Sequence, residues 1–194
     1  MNSIRRATAS DVPAIAELWN VALRDEEMAQ WPLDCGNRAV AVEAEFGELA
    51  RGYVDLDAVW VDADRQAAAA WLPPGSQDAF ESVDERVHQL VVPLMNDNGA
   101  RYEAFWTWVF ESMPTEPMWF LDILAVRADA RGTGIGSALL QHGLALAKSD
   151  GVPAILETST PRNVSYYERF GFEVIFSGQS PVGGPTVWFM TAKP

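Results

Sequence analysis

The sequence predicts a single α/β domain over residues 1–194, one mixed and mostly antiparallel sheet flanked by helices. Three observations predict it. Strand-like runs and helical periodicities alternate in the order strand, two helices, two strands, two helices, then strand, helix, strand, helix and two strands. At 194 residues the chain is long enough for one well-buried core and short for two. No repeat, low-complexity tract or linker interrupts it.

Ile4 to Ala7 forms a short first strand and stops at Thr8-Ala9-Ser10-Asp11. Ser10 or Asp11 is placed to cap a helix whose apolar positions Val12, Ile15, Ala16, Trp19, Ala22 and Leu23 follow i, i+3, i+4 spacing, with Pro13 in its first turn. A polar interval with Glu26, Glu27, Trp31-Pro32 and Asp34-Cys35-Gly36 follows, suited to ligand-binding walls or to a plain surface connection. A second helix is expected over Arg38 to Ala50, ended by Gly52. Ala58 to Asp62 and Gln66 to Leu72 read as strands joined by the turn Asp62 to Arg65. Alanines 67–70 favour a helix, but a run closed by Pro73-Pro74-Gly75 is too short for one.

Helical patterning resumes over Val83 to Met95 and Ala100 to Ser112, divided by Asn96-Asp97-Asn98-Gly99. Phe105, Trp106, Trp108, Val109 and Phe110 make the latter aromatic, for packing in the first instance and otherwise for a ligand wall or dimer contact. Met118 to Val126 is the main strand, leading through a loop into a helix from Gly134 to Lys148 that closes at Asp150-Gly151. Ala154 to Ser159 is another strand. A short helix opened by Pro161 ends at Gly171, and strands near Phe172 to Phe176 and Thr186 to Ala192 are linked through Gly178 to Pro185.

Composition narrows the function classes. Hydrophobic residues make up 48% and charged ones 21%, as in a soluble globular protein. A net charge of −13 makes nucleic acid and anionic membranes poor partners and draws in a cationic small molecule. One cysteine, Cys35, and two histidines, His88 and His142, exclude an internal disulfide and argue against a metal site. Met1 to Arg6 lacks the apolar core of a signal peptide and no run approaches a membrane span, so a cytoplasmic location is expected. Glu43, Glu45 and Glu48 read as a solvated helix face, and His142 as surface or sheet-packed.

The chemistry concentrates in Arg131-Gly132-Thr133-Gly134-Ile135-Gly136-Ser137. Glycines 132, 134 and 136 leave backbone N–H groups uncovered at a helix start, where inward-turned amides and the helix dipole favour an anion. Arg131 adds a permanent cation able to meet phosphate oxygens in pairs. A diphosphate is the natural guest. The phosphate loop GxxxxGK[ST] is absent, and a dinucleotide fingerprint would need GxGxxG tight against its strand, whereas Ser137 takes the last place. Glu157 falls near where a ribose-binding acid would, which keeps nicotinamide binding as a rival.

The arrangement of Arg131, Gly134 and Gly136 resembles the pyrophosphate loop [QR]xxGx[GA] of the GNAT N-acetyltransferases. A second stretch, Asn163-Val164-Ser165-Tyr166-Tyr167-Glu168-Arg169-Phe170-Gly171-Phe172, resembles the family signature of Asn, Tyr and Glu-[Lys/Arg]-x-Gly-Phe. Over residues 58–194 the chain resembles puromycin N-acetyltransferases most, in Trp119-Phe120-Leu121, in Leu156 to Asn163 and in Trp188 to Pro194. The resemblance implies acetyl-CoA as donor, in a gap where the strand of residues 118–126 splays from a parallel strand of residues 154–159. It places Leu124, Ala125 and Val126 along the pantetheine, Arg131 through Ser137 on the diphosphate, Asn163 on the pantetheine or phosphate arm, and Tyr167 beside the sulfur.

Thioester aminolysis asks for a neutral amine, support for a developing oxyanion and a proton for the thiolate; no covalent nucleophile is needed. A phenol of pKa about 10 suits a thiolate of about 8.5, which fits Tyr167, with Tyr166 adjacent should the register differ. A lysine-like amine costs roughly 4–5 kcal/mol to deprotonate at pH 7 and calls for a carboxylate base, whereas an α-amine costs only about 1–1.5 kcal/mol and needs little help. Glu157 and Asp122 are the candidates, unless either is a structural salt-bridge partner of an arginine such as Arg162. Asp122, which alternation along the strand puts on the side shared by Phe120 and Leu124, stands where a puromycin enzyme has a small apolar residue.

These features predict an acetyl-CoA-dependent N-acetyltransferase that acts on a primary amine of a small molecule by direct attack, an aminonucleoside such as puromycin among the possible acceptors, and a possible homodimer. The alternatives are a catalytically weak acyl-CoA-binding or sensing module and a nicotinamide oxidoreductase.

Overall fold

The computed structural model describes residues 3–194; Met1 and Asn2, part of the stretch read for a leader, lie outside the described residues. Seven strands form one sheet: β1 (Ile4–Arg6), β2 (Val59–Asp62), β3 (Ala67–Leu72), β4 (Trp119–Val126), β5 (Ala154–Thr158), β6 (Glu173–Ser180) and β7 (Gly183–Ala192). Their spatial order is β1-β2-β3-β4-β5-β7-β6, antiparallel except for the central pair β4 and β5. The helices are α1 (Val12–Leu23), α2 (Glu27–Gln30), α3 (Arg38–Asp55), α4 (Gln77–Val91), α5 (Ala100–Glu111), α6 (Ile135–Asp150) and α7 (Pro161–Glu168).

The alanine run is a strand, β3, buried along its whole length between β2 and β4. Its small side chains let helices close on both faces. Ala68, Ala70 and Leu72 belong to the cluster shared with α1 and α3, while Ala67, Ala69 and Trp71 belong to the cluster shared with α6. The approach of α6 is closest at Gly143, where a Cβ would lie 2.0 Å from the Trp71 ring. Tertiary burial and ladder bonds on two sides thus override the helical propensity of alanine.

Several boundaries differ from the sequence reading. Gly52 does not end α3, which runs on to Asp55; a Cβ there would lie 2.6 Å from Val83, so the glycine admits α4. Helix α4 begins at Gln77 and stops at Val91, because Pro93 lacks the N–H needed to continue and the chain tightens into a 3-10 turn over Val92–Leu94. Strands β6 and β7 are longer than expected and meet through a tight turn at residues 181–182. Asp11 spends its carboxylate on Arg5 (2.7 and 2.9 Å) and on Thr8 N and Oγ1 (both 2.9 Å), rather than capping α1.

The Trp71 contact yields a test. Gly143→Ala overfills a closed interface and is expected to lower stability by about 1–3 kcal/mol, read from the midpoint of a urea unfolding curve. An unchanged midpoint would mean that α6 does not sit this close to β3.

Candidate active site

The site begins where β4 and β5 part. Trp119, Phe120 and Leu121 pair with Ala154, Ile155 and Leu156, and the ladder ends there. Beyond it β5 continues along β7 through Glu157 and Thr158, and β4 continues along β3 to Val126. The edge of β4 that faces β5 is left without a strand partner from Asp122 onward. A bulge marks the departure: Leu121 opposes Trp71 and Ile123 opposes Ala70, so Asp122 is the extra residue. Bulges turn a side chain out of alternation. Phe120 and Ile123 both face α3 as a result, whereas Leu124 packs on the α6 side. Asp122 therefore does not share a face with Leu124, as simple alternation had placed it.

On one side of the junction a cleft of about 490 Å³ runs along the end of β4 to the start of α6. Leu124, Ala125 and Val126 form its floor, and Arg131, Gly132, Gly134, Ile135, Gly136 and Ser137 its rim. Gly132 (φ +80°) and Gly134 (φ +88°) hold left-handed conformations that turn the loop amides outward. Among the described residues, the N–H groups of Gly132 and of residues 134–137 donate to no backbone acceptor. Gly136 supplies close approach, since a Cβ would sit 2.9 Å from Val126. Thr133 is the exception in the motif: its hydroxyl donates to the Ala130 carbonyl (2.7 Å), and its side chain holds the turn instead of lining the cleft.

Three arginines line this cleft in a chain of net charge −13. Arg131 reaches back to the Val126 carbonyl (3.4 Å), Arg162 lies 3.7 Å from Glu26, and Arg169 stacks over the Tyr166 ring (5.0 Å). Bare amides, a helix start, three guanidiniums and absent Cβ atoms fit the diphosphate and pantetheine of acetyl-CoA.

On the other side lies a cavity of about 170 Å³ with acidic walls. Glu157, Asp122 and Glu45 all line it. Glu157 is raised well above the usual carboxylate range by burial and by the neighbouring Asp122 charge, and its Oε2 has no hydrogen-bond partner. Asp122 is raised by burial too, and the Tyr53 hydroxyl opposes that rise by steadying its charged form. Glu45 is pushed up to about 7 by burial, against the Tyr102 hydroxyl that donates to it at 2.9 Å. The solvated-face reading of Glu45 and Glu48 is thereby corrected: they are 5% and 7% exposed, and Glu48 binds Arg86 at 2.6 Å. Arg162, considered as a partner for the candidate bases, faces Glu26 instead.

Cleft and cavity share a wall made of Leu23, Glu26, Leu124, Asn163 and Tyr167. Asn163 is held by a hydrogen bond from its Nδ2 to Thr158 Oγ1 (3.3 Å). The two tyrosines divide the space between them. Tyr166 shares a hydrogen bond with Ser137 (3.2 Å) and belongs to the glycine loop; Tyr167 faces both compartments and bonds to no protein group among the described residues. Burial raises the Tyr167 phenol further above its ordinary value, with Tyr166 and two glutamates adding to the effect. It keeps its proton throughout the neutral range.

The sequence pattern of the acetyltransferase (GNAT) family matches residues 19–172. The chain belongs to the GNAT family. Its fold agrees with solved members. A histone acetyltransferase HPA2 and related acetyltransferase from Corynebacterium glutamicum is 22% identical with a TM-score of 0.71, covering 100% of this chain and 97% of that one. A polyamine N-acetyltransferase of Drosophila melanogaster is 13% identical (TM-score 0.67) and a mosquito arylalkylamine N-acetyltransferase-like protein 15% identical (TM-score 0.65), each covering both chains fully. At such identities the likeness establishes the fold, that of a family of acyltransferases.

Sequence reasoning gave no site role to Glu45 or Arg169 and missed the junction position of Glu26, while the ligand-wall alternative for the α5 aromatics holds for Trp106. Trp106 lines the acidic cavity, so the aromatic helix α5 supplies a cavity wall as well as packing. His142 packs at a tilt against Trp60 (ring centroids 5.5 Å apart) on the α6 side of the sheet and lines neither compartment. A third cavity, about 360 Å³ between Phe80, Phe110 and Met113, lies at the opposite end of β4 from the glycine loop.

Glu45 provides a stability test. Its folded pKa, raised to about 7, makes its contribution full below the ordinary carboxylate value and lost as pH rises through 7. Glu45→Gln stays neutral and still accepts from Tyr102. Without ligand it is expected to be more stable than the parent at pH 8, on the order of 1–3 kcal/mol, and close to it at pH 4.5. Urea unfolding at both pH values measures the difference; an equal effect at both would refute the assigned cause.

Proposed function

We propose that the protein transfers the acetyl group of acetyl-CoA to a primary amine of a small molecule, by direct attack with both substrates bound. The observation that carries this reading is the shared wall at Leu124 and Tyr167, where a phosphate-suited cleft and an acidic cavity meet beside an unpaired strand edge. In this reading β4 accepts the pantetheine as an added strand, and one of its free amides stabilises charge developing at the thioester oxygen. The loop from Arg131 to Ser137 binds the diphosphate, joined by Arg162 and Arg169.

Glu157 takes a proton from the incoming ammonium. Its raised pKa narrows the gap to the amine and makes the transfer less uphill than to an ordinary carboxylate. Tyr167 gives its proton to the departing sulfur. A thiolate formed beside buried carboxylates is raised by the same desolvation as the phenol, so the two stay matched. Asp122 then acts through Glu157, holding its proton affinity up.

The net negative charge and the acidic cavity favour a cationic acceptor. The fly enzyme is named for polyamines and the mosquito protein for its likeness to an arylalkylamine N-acetyltransferase, both amine acceptors. An aminonucleoside such as puromycin enters through the sequence resemblance of residues 58–194. The cavity lies below the roughly 300 Å³ of drug-sized pockets, so such an acceptor would have to leave most of its bulk outside.

Two variants test the assignment. Gly134→Glu sets a β-carbon and a negative charge on the anion loop and is expected to abolish acetyl-CoA binding by isothermal titration; binding equal to the parent would sink the loop assignment. Tyr167→Phe should keep cofactor affinity and lose roughly 10²–10⁴-fold in kcat. Unaltered turnover across the pH range would remove Tyr167 from the proton transfer.

A further inference from the structure

One base is enough for aminolysis, yet four carboxylates line the acidic cavity, and only Glu26 among them is met by an arginine, Arg162 (3.7 Å). Among the described residues no arginine, lysine or histidine forms an ion pair with Glu45, Asp122 or Glu157. The chain does not lack cations for this region. Glu48, one turn along α3 from Glu45, is met by both Arg86 (2.6 Å) and Arg51 (3.7 Å). The other three cavity acids are left uncompensated in a setting where burial and mutual repulsion press against their ionisation. Such a set is relieved by a cation from outside.

The three acids enter the cavity from three elements. Asp122, on β4, bears electrostatically on both Glu45 and Glu157. Glu157, on β5, bears on the Tyr167 phenol; Glu45 enters from α3, 95% buried and outside the lining of the donor cleft, with Tyr102 fixing one of its oxygens. A single ammonium next to Glu157 leaves Glu45 unanswered. The walls between are apolar, from Met28, Phe46 and Leu49, and the Trp106 indole adds a face that attracts cations.

Resting on the reading of this cavity as the acceptor site, we propose that the acceptor is a short dication. A primary amine reacts beside Glu157 and Tyr167, and an ammonium or guanidinium at the far end is held by Glu45 and Asp122 across a few methylenes. Glu45 is then a specificity-determining residue that touches no reacting atom. The volume of about 170 Å³ suits a linear aliphatic chain.

The full chain is assayed for coenzyme A release with 1,4-diaminobutane, 4-aminobutylguanidine and butylamine, three amines on the same four-carbon chain. The dications are expected to exceed butylamine in kcat/KM by about 10–100-fold, mostly through KM, as for a charge-assisted contact in a desolvated site. In Glu45→Gln that preference should fall toward unity, and the variant's expected stability above pH 7 guards against loss of fold. Preference for one dication over the other identifies the distal group as ammonium or guanidinium. Equal use of butylamine and the dications, or a preference untouched by Glu45→Gln, overturns the proposal.

If no amine is acetylated, the transferase reading fails by itself. Calorimetric binding of 1,4-diaminobutane to coenzyme A-saturated protein then decides the rest. Binding at least tenfold weaker in Glu45→Gln upholds the dication site, and absence of binding removes it.

Discussion

The separation of β4 from β5 after Leu121 and Leu156 is the constraint on which the remaining structure depends. A parallel pair in the middle of a sheet is normally zipped along its length, since each unpaired backbone group withdrawn from water has a cost. Here the break is built in. The bulge at Asp122 rotates β4 as it leaves its neighbour, while β7 keeps the far edge of β5 occupied. The fold therefore delivers one strand edge with open amides and carbonyls, at the point where two cavities of opposite character meet.

That opposition in charge organises the site. The donor side gathers Arg131, Arg162 and Arg169 around free amides, and the acceptor side gathers Glu45, Asp122 and Glu157 without a balancing cation. The acidic side does not favour the empty fold, because like charges are gathered there where burial lowers the dielectric, whereas the three arginines stay exposed to solvent. Stability comes from elsewhere: the fully buried β3, the Gly143 contact with Trp71, and peripheral networks such as Arg5 with Asp11 and Arg86 with Glu48. The same electrostatics that burden the empty cavity raise Glu157 toward the range useful to a base and keep Tyr167 protonated.

How much of this was legible in the sequence depends on how local its cause is. The loop at 131–137 could be read because left-handed backbone and close approach restrict residue type at each position, and Asn163 to Phe172 carried a second, independent pattern. The strand identity of residues 67–72 followed from the breakers on either side. The bulge was invisible, since it is a property of register between β4 and β3, and alternation alone put Leu124 on the face of Phe120 and Asp122. Glu45 was misread because its neighbours Glu43 and Glu48 suggested a polar stripe. Its spacing from Ala41, Val42 and Leu49 was the available signal that it sits on the inward side of α3. Arg169 fills the [Lys/Arg] place of the second pattern, but its position on the cleft could not be read without knowing that the end of α7 faces the start of α6.

The central claim is that the donor settles along the open edge of β4 and against the amides at the start of α6. Amide hydrogen exchange with and without coenzyme A tests it most directly. The account predicts new protection confined to residues 124–126 and 132–137, with the edge strand β6 unaffected. Protection absent from both segments, or appearing instead around Phe80 and Phe110, would contradict it.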